Sequence, residues 1–197
     1  MCSWCWGFSP VWGEIRKRYE KQVSFQLVLG GLRPGNMERF DESKRAYILQ
    51  HWHAVHERTG QPFNFDFQMG PTFTYDTEPA SRATVVIRQL MPGKEWEFLK
   101  HVHKAFYVQN ADVTKAEVLE ELAVTVGMDA SGFRQVFHES QTKQLVWEDF
   151  AQSRHLGVAG FPTLLGQQGQ STSTLMHGYQ ELGTLTPVIE QFLQKFS

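Results

Sequence analysis

The strand-forming segments of this chain lie only near its two ends, with a long helical stretch between them. Residues 22–30 alternate apolar and more polar side chains, which predicts a strand. Two shorter segments, residues 163–165 and 172–177, predict an antiparallel pair joined by a turn over residues 166–170. Residues 36–157 carry helical periodicity almost throughout. The predicted order is therefore helix, strand, helical block, two strands and helix.

Apolar spacing and capping residues locate the helices. They cover about residues 5–20, 41–58, 80–90, 94–108, 114–127, 129–139, 142–156 and 184–196. Thr114 and Glu117 form a predicted capping box, and Asp129 is a predicted N-cap. Gly127 and Gly157 stand where their helices are predicted to end.

Composition indicates one domain, or one domain with a large insertion. The chain has 197 residues, 41% of them hydrophobic, and a formal net charge of −2. No cluster of lysine and arginine suggests binding to nucleic acid or to an anionic membrane surface. No apolar run approaches the ~20 residues that span a bilayer. No signal peptide is visible, so we expect a cytoplasmic protein.

The chain has two cysteines, Cys2 and Cys5, which stand at C-x-x-C spacing at the start of the first predicted helix. This spacing is typical of thiol chemistry in which one thiol attacks a disulfide and the other resolves the mixed disulfide. Because a helix N-terminus stabilises a thiolate, Cys2 is the predicted nucleophile and Cys5 the resolving thiol. A small structural disulfide is the alternative. A zinc site would need further soft ligands, and we expect neither a metal nor a cofactor.

A second motif lies far downstream, at residues 160–163, where Phe161 precedes Pro162. Proline is allowed at the start of a strand, and an X-Pro bond is cis at a cost of only ~0.5–1 kcal/mol. A cis bond would leave the backbone N–H and C=O of Phe161 free to pair with an extended peptide. A trans proline at a strand edge is the alternative, but the distant C-x-x-C motif favours the cis form.

Four motifs together resemble the DsbA family of thioredoxin-fold proteins. More narrowly, they resemble its cytosolic FrnE-like branch, which borders the 2-hydroxychromene-2-carboxylate isomerases. The motifs are residues 2–8, 30–35, 74–80 and 157–164. The resemblance implies an α/β thioredoxin-like core formed by residues 1–35 and 158–197, split by an all-helical insertion over residues 36–157 that caps the active site. It also implies that Pro162 is a cis-proline facing the dithiol.

The chain departs from that family at two points. Ser81 stands where relatives often carry a further cysteine, so a third thiol able to shuttle the disulfide is lost. The family also begins with a β-strand before the C-x-x-C motif, and this chain shows none. Because that strand is central in the fold, we expect Met1 to be an internal methionine or a truncation point. A strand swapped in from a neighbouring molecule is the alternative.

Aromatic side chains cluster near the dithiol and in the loop over residues 60–79. Most of those near the dithiol are expected in the core, with Trp4 and Trp6 as candidates for an apolar surface that docks substrate. Ser3 and Phe161 complete the predicted substrate-binding residues. For the loop we expect burial under the helical block, and a lid over the active site is the alternative.

These features predict a dithiol–disulfide oxidoreductase acting on protein or small-molecule disulfides, with glutathione or a thioredoxin-type reductant as candidate redox partners. Two other functions stay open. A glutathione-dependent isomerase or transferase, related to the 2-hydroxychromene-2-carboxylate isomerases, would use the site to activate glutathione, but it needs no resolving thiol such as Cys5. A redox-inert binding module or holdase would use the aromatic surface alone. No nucleic acid or membrane is expected as a partner.

Overall fold

Helices form most of this protein. The computed structural model describes residues 1–195. Within them the helices are α1 (Ser3–Tyr19), α2 (Glu42–Thr59), α3 (Glu78–Leu90), α4 (Glu95–Tyr107), α5 (Ala116–Thr125), α6 (Ala130–His138), α7 (Ser140–His155) and α8 (Leu182–Gln194). Strands β1 (Thr163–Gln168) and β2 (Ser171–His177) lie between α7 and α8. None of the helices described in residues 1–195 is long and apolar enough to cross a membrane.

The predicted helices are confirmed, although their ends differ by a few residues from the predicted ones. Asp129 caps α6 as predicted, because its carboxylate accepts a hydrogen bond from the Gly132 N–H at 2.7 Å. Gly157 follows α7 with a φ of 75°, the left-handed conformation expected after a helix end. The capping box predicted at Thr114 is wrong. Its hydroxyl donates to the nearby Asp112 carboxylate at 2.5 Å, ahead of α5.

The sheet of the described residues consists of two antiparallel strands. β1 is longer than predicted and the turn is confined to residues 169–170. Gly166 lies inside β1 opposite the Phe192 ring of α8, where a Cβ atom would sit 2.6 Å from a ring carbon. Glycine therefore lets α8 pack directly on the strand. The last residue predicted for this helix, Phe196, lies outside the described residues.

The strand predicted over residues 22–30 is wrong, because this segment pairs with no strand in the described part of the chain. Apolar alternation shows which side chains are buried, but a strand also needs a neighbour for its N–H and C=O groups. Side chains bind part of this backbone instead. The Arg88 side chain donates a hydrogen bond to the Leu27 carbonyl at 3.0 Å, and the Asp149 carboxylate accepts a hydrogen bond from the Leu29 N–H at 3.0 Å. Arg88 and Asp149 also pair at 2.8 Å, which joins the two anchors.

The largest hydrophobic core lies among the helices and takes in the loop over residues 60–79. Three aromatic side chains of that loop, Phe67, Phe73 and Tyr75, are 0%, 2% and 4% exposed. These three rings are buried under the helical block, as expected, whereas Phe63 and Phe65 are half-buried and residues 70–72 are exposed. The alternative that the loop forms a lid stays a prediction. A second, smaller core packs one face of α1 against β2 and α8.

Helix α1 contacts both cores, and this positions the dithiol. Trp6 belongs to the large core, whereas Phe8 and Ile15 belong to the smaller one. At Gly7 a Cβ atom would lie 2.8 Å from Val55, so α1 and α2 pack closely near the cysteines. The start of α1 is thus held where the two cores meet.

The predicted domain organisation, a core formed by residues 1–35 and 158–197 with an insertion over residues 36–157, stays a prediction. The middle range contains six of the helices above, α2 to α7, and an isolated bridge between Arg39 and Thr74. These helices follow the predicted order, and Arg88 and Asp149 link the middle range to the segment after α1.

Candidate active site

The two cysteines meet at the start of α1. Cys2 is the N-cap residue, and its Sγ accepts a hydrogen bond from the Cys5 backbone N–H at 3.4 Å. Both thiols are free and partly buried. A sulfur in this position faces the unpaired N–H groups of the first helical turn, which stabilise a negative charge. The local structure therefore favours a thiolate at Cys2.

The pKa values of the two thiols shift in opposite directions. A hydrogen bond from the Cys5 thiol lowers the pKa of Cys2 from 9.0 to about 7, against the effect of burial. The same hydrogen bond, together with burial, raises the pKa of Cys5 well above its ordinary value. At neutral pH a large share of Cys2 is thiolate while Cys5 keeps its proton. Since only a thiolate attacks a disulfide, the geometry distinguishes the two thiols chemically.

The proline segment ahead of β1 lies against Cys2. The Phe161–Pro162 peptide bond is cis, and the Cys2 thiol donates to the Phe161 carbonyl at 3.8 Å. The Gly178 N–H donates to the Pro162 carbonyl at 2.9 Å, which ties the segment to the residues after β2. The Phe161 ring packs on Gly30, where a Cβ atom would lie 1.9 Å from a ring carbon. The fold thus brings three distant sequence motifs to one place.

The remaining predicted site residues differ in burial: Ser3 and Trp4 are partly accessible near the dithiol, whereas Trp6 is buried in the core. Ser3 and Trp4 are partly buried at the start of α1, and the Trp4 ring lies 6.1 Å from the Tyr179 ring. Trp6 is only 4% exposed, and its indole N–H donates to the Pro62 carbonyl at 3.0 Å. It does not reach the docking surface assigned to it from sequence, because two residues along a helix turn a side chain to nearly the opposite face.

A pocket of ≈590 Å³ opens beside the dithiol. Its lining includes Trp4, Glu57, Arg58, Phe161, Gly178 and Tyr179. Sequence reasoning did not find Glu57, Arg58 or Tyr179 as site residues. Glu57 and Arg58 lie in the last turn of α2, and Tyr179 follows β2. No motif or spacing links them to Cys2, so sequence offered no signal for them.

A cluster of neutral polar side chains is buried next to Trp6. His103 is 4% exposed, and its ring lies 6.2 Å from Trp6 and 5.8 Å from Tyr107. Burial lowers the pKa of His103 to about 3 and raises the pKa values of Tyr75 and Tyr107. All three groups are therefore uncharged at pH 7. Among residues 1–195, no group of three or more His, Cys, Asp or Glu side chains could hold a metal ion.

Solved structures of similar proteins share this architecture. A Nitrosomonas europaea protein that bears the name "putative protein disulfide isomerase" is 36% identical, with a TM-score of 0.93 over 100% of this chain and 95% of that chain. The cytosolic disulfide reductase DsbM from Pseudomonas aeruginosa is 24% identical, with a TM-score of 0.80 over 99% of this chain and 95% of that chain. DsbM with GSH gives a TM-score of 0.78 at 20% identity. The likeness to DsbM shows the fold.

Relatives known by sequence include the ClpXP adapter protein SpxH from Halalkalibacterium halodurans, which is 22% identical over 169 residues, 84% of this chain and 55% of the relative. The chain spans about half the length of the curated relatives it matches. The sequence model of the DSBA-like thioredoxin domain matches residues 1–189. Because that match runs from the dithiol into α8, the chain belongs to the DSBA-like thioredoxin domain family and has its DsbA-like thioredoxin fold.

Proposed function

We propose that this protein is a thiol–disulfide oxidoreductase in which Cys2 attacks a disulfide and Cys5 resolves the mixed disulfide. The observation that carries the proposal is the place of Cys2 at the N-cap of α1, where its Sγ accepts a hydrogen bond from the Cys5 N–H at 3.4 Å and lies 3.8 Å from the Phe161 carbonyl. The lowered pKa of Cys2 and the raised pKa of Cys5 agree with these two roles. A structural cysteine pair needs no such difference, whereas sequential attack by two thiols does. Membership of the DSBA-like family supports the same function.

The reductive direction proceeds by two exchanges. The Cys2 thiolate attacks one sulfur of a substrate disulfide, the substrate S–S bond breaks, and half of the substrate leaves as a thiolate. Cys5 then loses its proton and attacks the Cys2 sulfur, which releases the second half and forms the Cys2–Cys5 bond. Two electrons pass from the protein to the substrate. The reverse steps oxidise a dithiol substrate.

We assign substrate positioning to the residues around Cys2. Pro162 holds the Phe161 carbonyl next to the Cys2 thiol, at 3.8 Å, and an extended substrate pairs with the Phe161 backbone. Ser3 and Trp4 lie beside that position and contact the substrate. Trp6 acts from the core by fixing α1 through its hydrogen bond to Pro62.

Insulin reduction with cysteine variants tests this function. Cys2→Ser should abolish turnover, because no other thiol takes the nucleophile position. Cys5→Ser should accumulate a Cys2 mixed disulfide, visible as added mass on a non-reducing sample. Thr125→Ser, at the exposed end of α5, is the control and should keep the wild-type rate.

The same variants separate the rival functions. A glutathione-dependent isomerase or transferase would keep its activity in Cys5→Ser, and a holdase would suppress aggregation equally in both cysteine variants. Insulin reduction by Cys2→Ser at the wild-type rate would contradict the proposal.

Alkylation at different pH values tests the two roles directly. The pKa of Cys2 is lowered to about 7, so the rate at which iodoacetamide labels Cys2 should increase as the pH is raised through 7 and decrease as it is lowered. Cys5, with its raised pKa, should stay protonated and unlabelled over the same range. Cys5→Ala removes the hydrogen-bond donor that lowers the pKa of Cys2, so the midpoint of Cys2 labelling should move to higher pH. Tandem mass spectrometry identifies the labelled cysteine, and preferential labelling of Cys5 would reverse the assignment.

We further propose that the chain belongs to the FrnE-like branch and acts in the cytoplasm. The motifs at residues 2–8 and 74–80 support the branch, and the name of DsbM as a cytosolic disulfide reductase supports the compartment. The structure of DsbM with GSH supports glutathione as a redox partner, beside a thioredoxin-type reductant. Comparing the rates at which glutathione and thioredoxin reduce the Cys2–Cys5 disulfide distinguishes these partners.

A further inference from the structure

Arg58 lines the pocket beside the dithiol and forms an ion pair with Glu181 that the proposed reaction does not use. Arg58 lies in the last turn of α2, and Glu181 precedes α8 as its N-cap residue. Arg58 Nη1 donates to Glu181 Oε1. The Arg58 guanidinium lies 5.6 Å from the centre of the Tyr179 ring, which is 6.1 Å from the Trp4 ring. A line of contacts therefore runs from Arg58 to the turn that carries both cysteines.

This ion pair is open to competition. The Arg58 and Glu181 side chains are 56% and 55% exposed, and pairs exposed to that degree contribute little to stability. A guanidinium has five N–H donors, and the hydrogen bond to Glu181 uses one of them. A ligand carboxylate can therefore bind Arg58, beside Glu181 or in its place, without leaving a buried charge unpaired.

The position of the pair relative to Cys2 indicates a role in substrate binding. The Phe161 carbonyl accepts a hydrogen bond from the Cys2 thiol at 3.8 Å, and Phe161 lines the same pocket as Arg58. The pocket volume of ≈590 Å³ lies within the ~300–1,000 Å³ typical of small-molecule sites. A small disulfide with one sulfur at Cys2 and its remaining atoms in this pocket would lie beside Arg58.

We propose that Arg58 is a specificity residue that selects small disulfides carrying a carboxylate, and that Glu181 competes with this carboxylate for the guanidinium. The inference rests on the proposed dithiol function and adds no bond-making step to it. Arginine suits the role because its planar fork matches both oxygens of a carboxylate. Glu57 lines the same pocket and repels further negative charge. A single carboxylate placed at Arg58 is therefore favoured over a highly charged anion.

Small disulfides of similar size and different charge isolate this effect. We would use 3,3′-dithiodipropionate as the anionic probe, bis(2-hydroxyethyl) disulfide as the neutral one and cystamine as the cationic one. Reduced protein is mixed with an excess of each, quenched with acid, and its oxidation to the Cys2–Cys5 disulfide is followed by mass. Each rate is divided by the rate with the neutral probe, and each variant is then compared with the wild type. The intrinsic reactivity of the probes cancels in that comparison.

The variants should respond in opposite directions. Arg58→Gln should lower the anionic-to-neutral ratio about fivefold, the size expected for one partly exposed charge pair. Arg58→Lys keeps the charge without the fork and should give an intermediate ratio. Glu181→Gln removes the competitor and should raise the ratio. If the pair served stability alone, Arg58→Gln and Glu181→Gln would change the rates in the same direction.

The matched control is Arg134→Gln. Arg134 is 63% exposed and pairs with Glu120 outside the pocket, so all rate ratios should stay at the wild-type values. An unchanged ratio in Arg58→Gln, with all probes reduced, would overturn the inference and leave the proposed function intact. A wild-type protein that reacts with no probe would overturn both. A charge preference seen only with disulfide-linked peptides that differ in a flanking Asp or Asn would overturn the small-molecule assignment.

Discussion

The helical part of this protein, α2 to α7, and its sheet side, which comprises residues 23–29, β1, β2 and α8, hold their backbones in different ways. Beyond the first turn of each helix, backbone N–H groups bond to carbonyls one turn away, and buried rings such as Trp52 and Phe67 join the helices. On the sheet side, residues 23–29 have no strand partner among the described residues. That segment is bound by side chains 61 and 120 residues away in sequence. The helical part should therefore be sensitive to lost volume, and the sheet side to lost polar anchors.

Replacing Trp52 should give the largest loss of stability. Trp52 is 1% exposed, and its ring lies 4.6 to 5.8 Å from four other aromatic rings, those of Phe63, Phe67, Phe106 and Tyr107. Trp52→Ala should lower the free energy of unfolding by ~3–5 kcal/mol, because it leaves a cavity that the rigid rings cannot fill. Urea unfolding measures the change.

Trp147→Ala is the control for that experiment. Trp147 is 47% exposed on α7 and contacts one ring, that of Phe150, at 5.4 Å. Its loss should cost ~1 kcal/mol or less. Equal losses in the two variants would show that aromatic packing does not stabilise the helical part more than its surface does.

Replacing Asp149 should give a smaller but still large loss, confined at first to the sheet side. Asp149→Ala leaves the Leu29 N–H and the Arg88 guanidinium without their carboxylate. We expect a loss of ~2–4 kcal/mol, less than for a fully buried pair because the Arg88 side chain is 29% exposed. Hydrogen exchange should show the Leu29 amide losing protection before the α2 amides do.

Glu120→Ala is the matched control, since the Arg134 partner of Glu120 is 63% exposed. Its loss should be ~1 kcal/mol or less. If Asp149→Ala destabilised the protein no more than Glu120→Ala, the polar anchors would not be what holds residues 23–29.

Replacing Gly30 should combine a moderate loss of stability with an effect on the dithiol. A Cβ atom there would lie 1.9 Å from the Phe161 ring, so Gly30→Ala must displace the ring of the residue whose carbonyl lies next to Cys2. We expect a loss of ~1–3 kcal/mol, as for other overpacked sites, and slower oxidation of the dithiol by the neutral disulfide probe. Adding Phe161→Ala should restore part of the stability. A wild-type oxidation rate in Gly30→Ala would show that the position of Phe161 does not affect Cys2.

Gly13→Ala should give the smallest change, with the opposite sign. Gly13 lies in the middle of α1, and a Cβ atom there would have no neighbour within 4 Å. Because alanine loses less backbone entropy than glycine on folding, the variant should gain ~0.5–1 kcal/mol. A loss of stability in urea unfolding would contradict this expectation.

The helical part was predictable because its signals are local. At the start of α2 the Asp41 carboxylate accepts a hydrogen bond from the Lys44 N–H at 2.9 Å, and Gly157 follows the end of α7 with a positive φ. The sequence predicts the start of α2 and the end of α7 close to these two residues. The failed prediction at Thr114 has a local cause as well, since Asp112 binds its hydroxyl. The strand prediction for residues 22–30 failed for a different reason. A strand depends on distant partners, which apolar alternation does not reveal.

Sequence alone predicted the dithiol at the start of α1, because the spacing of Cys2 and Cys5 and their place at a helix start are local properties. That Phe161 and Pro162 face this dithiol was implied by the resemblance to the DsbA family, since a contact across 159 residues has no local signal. Tertiary structure alone decided what surrounds that dithiol. It buried Trp6, brought Arg58 and Tyr179 to the pocket wall and set Glu181 against Arg58. These contacts join side chains far apart in the chain, and only packing of the helices against the sheet side brings them together.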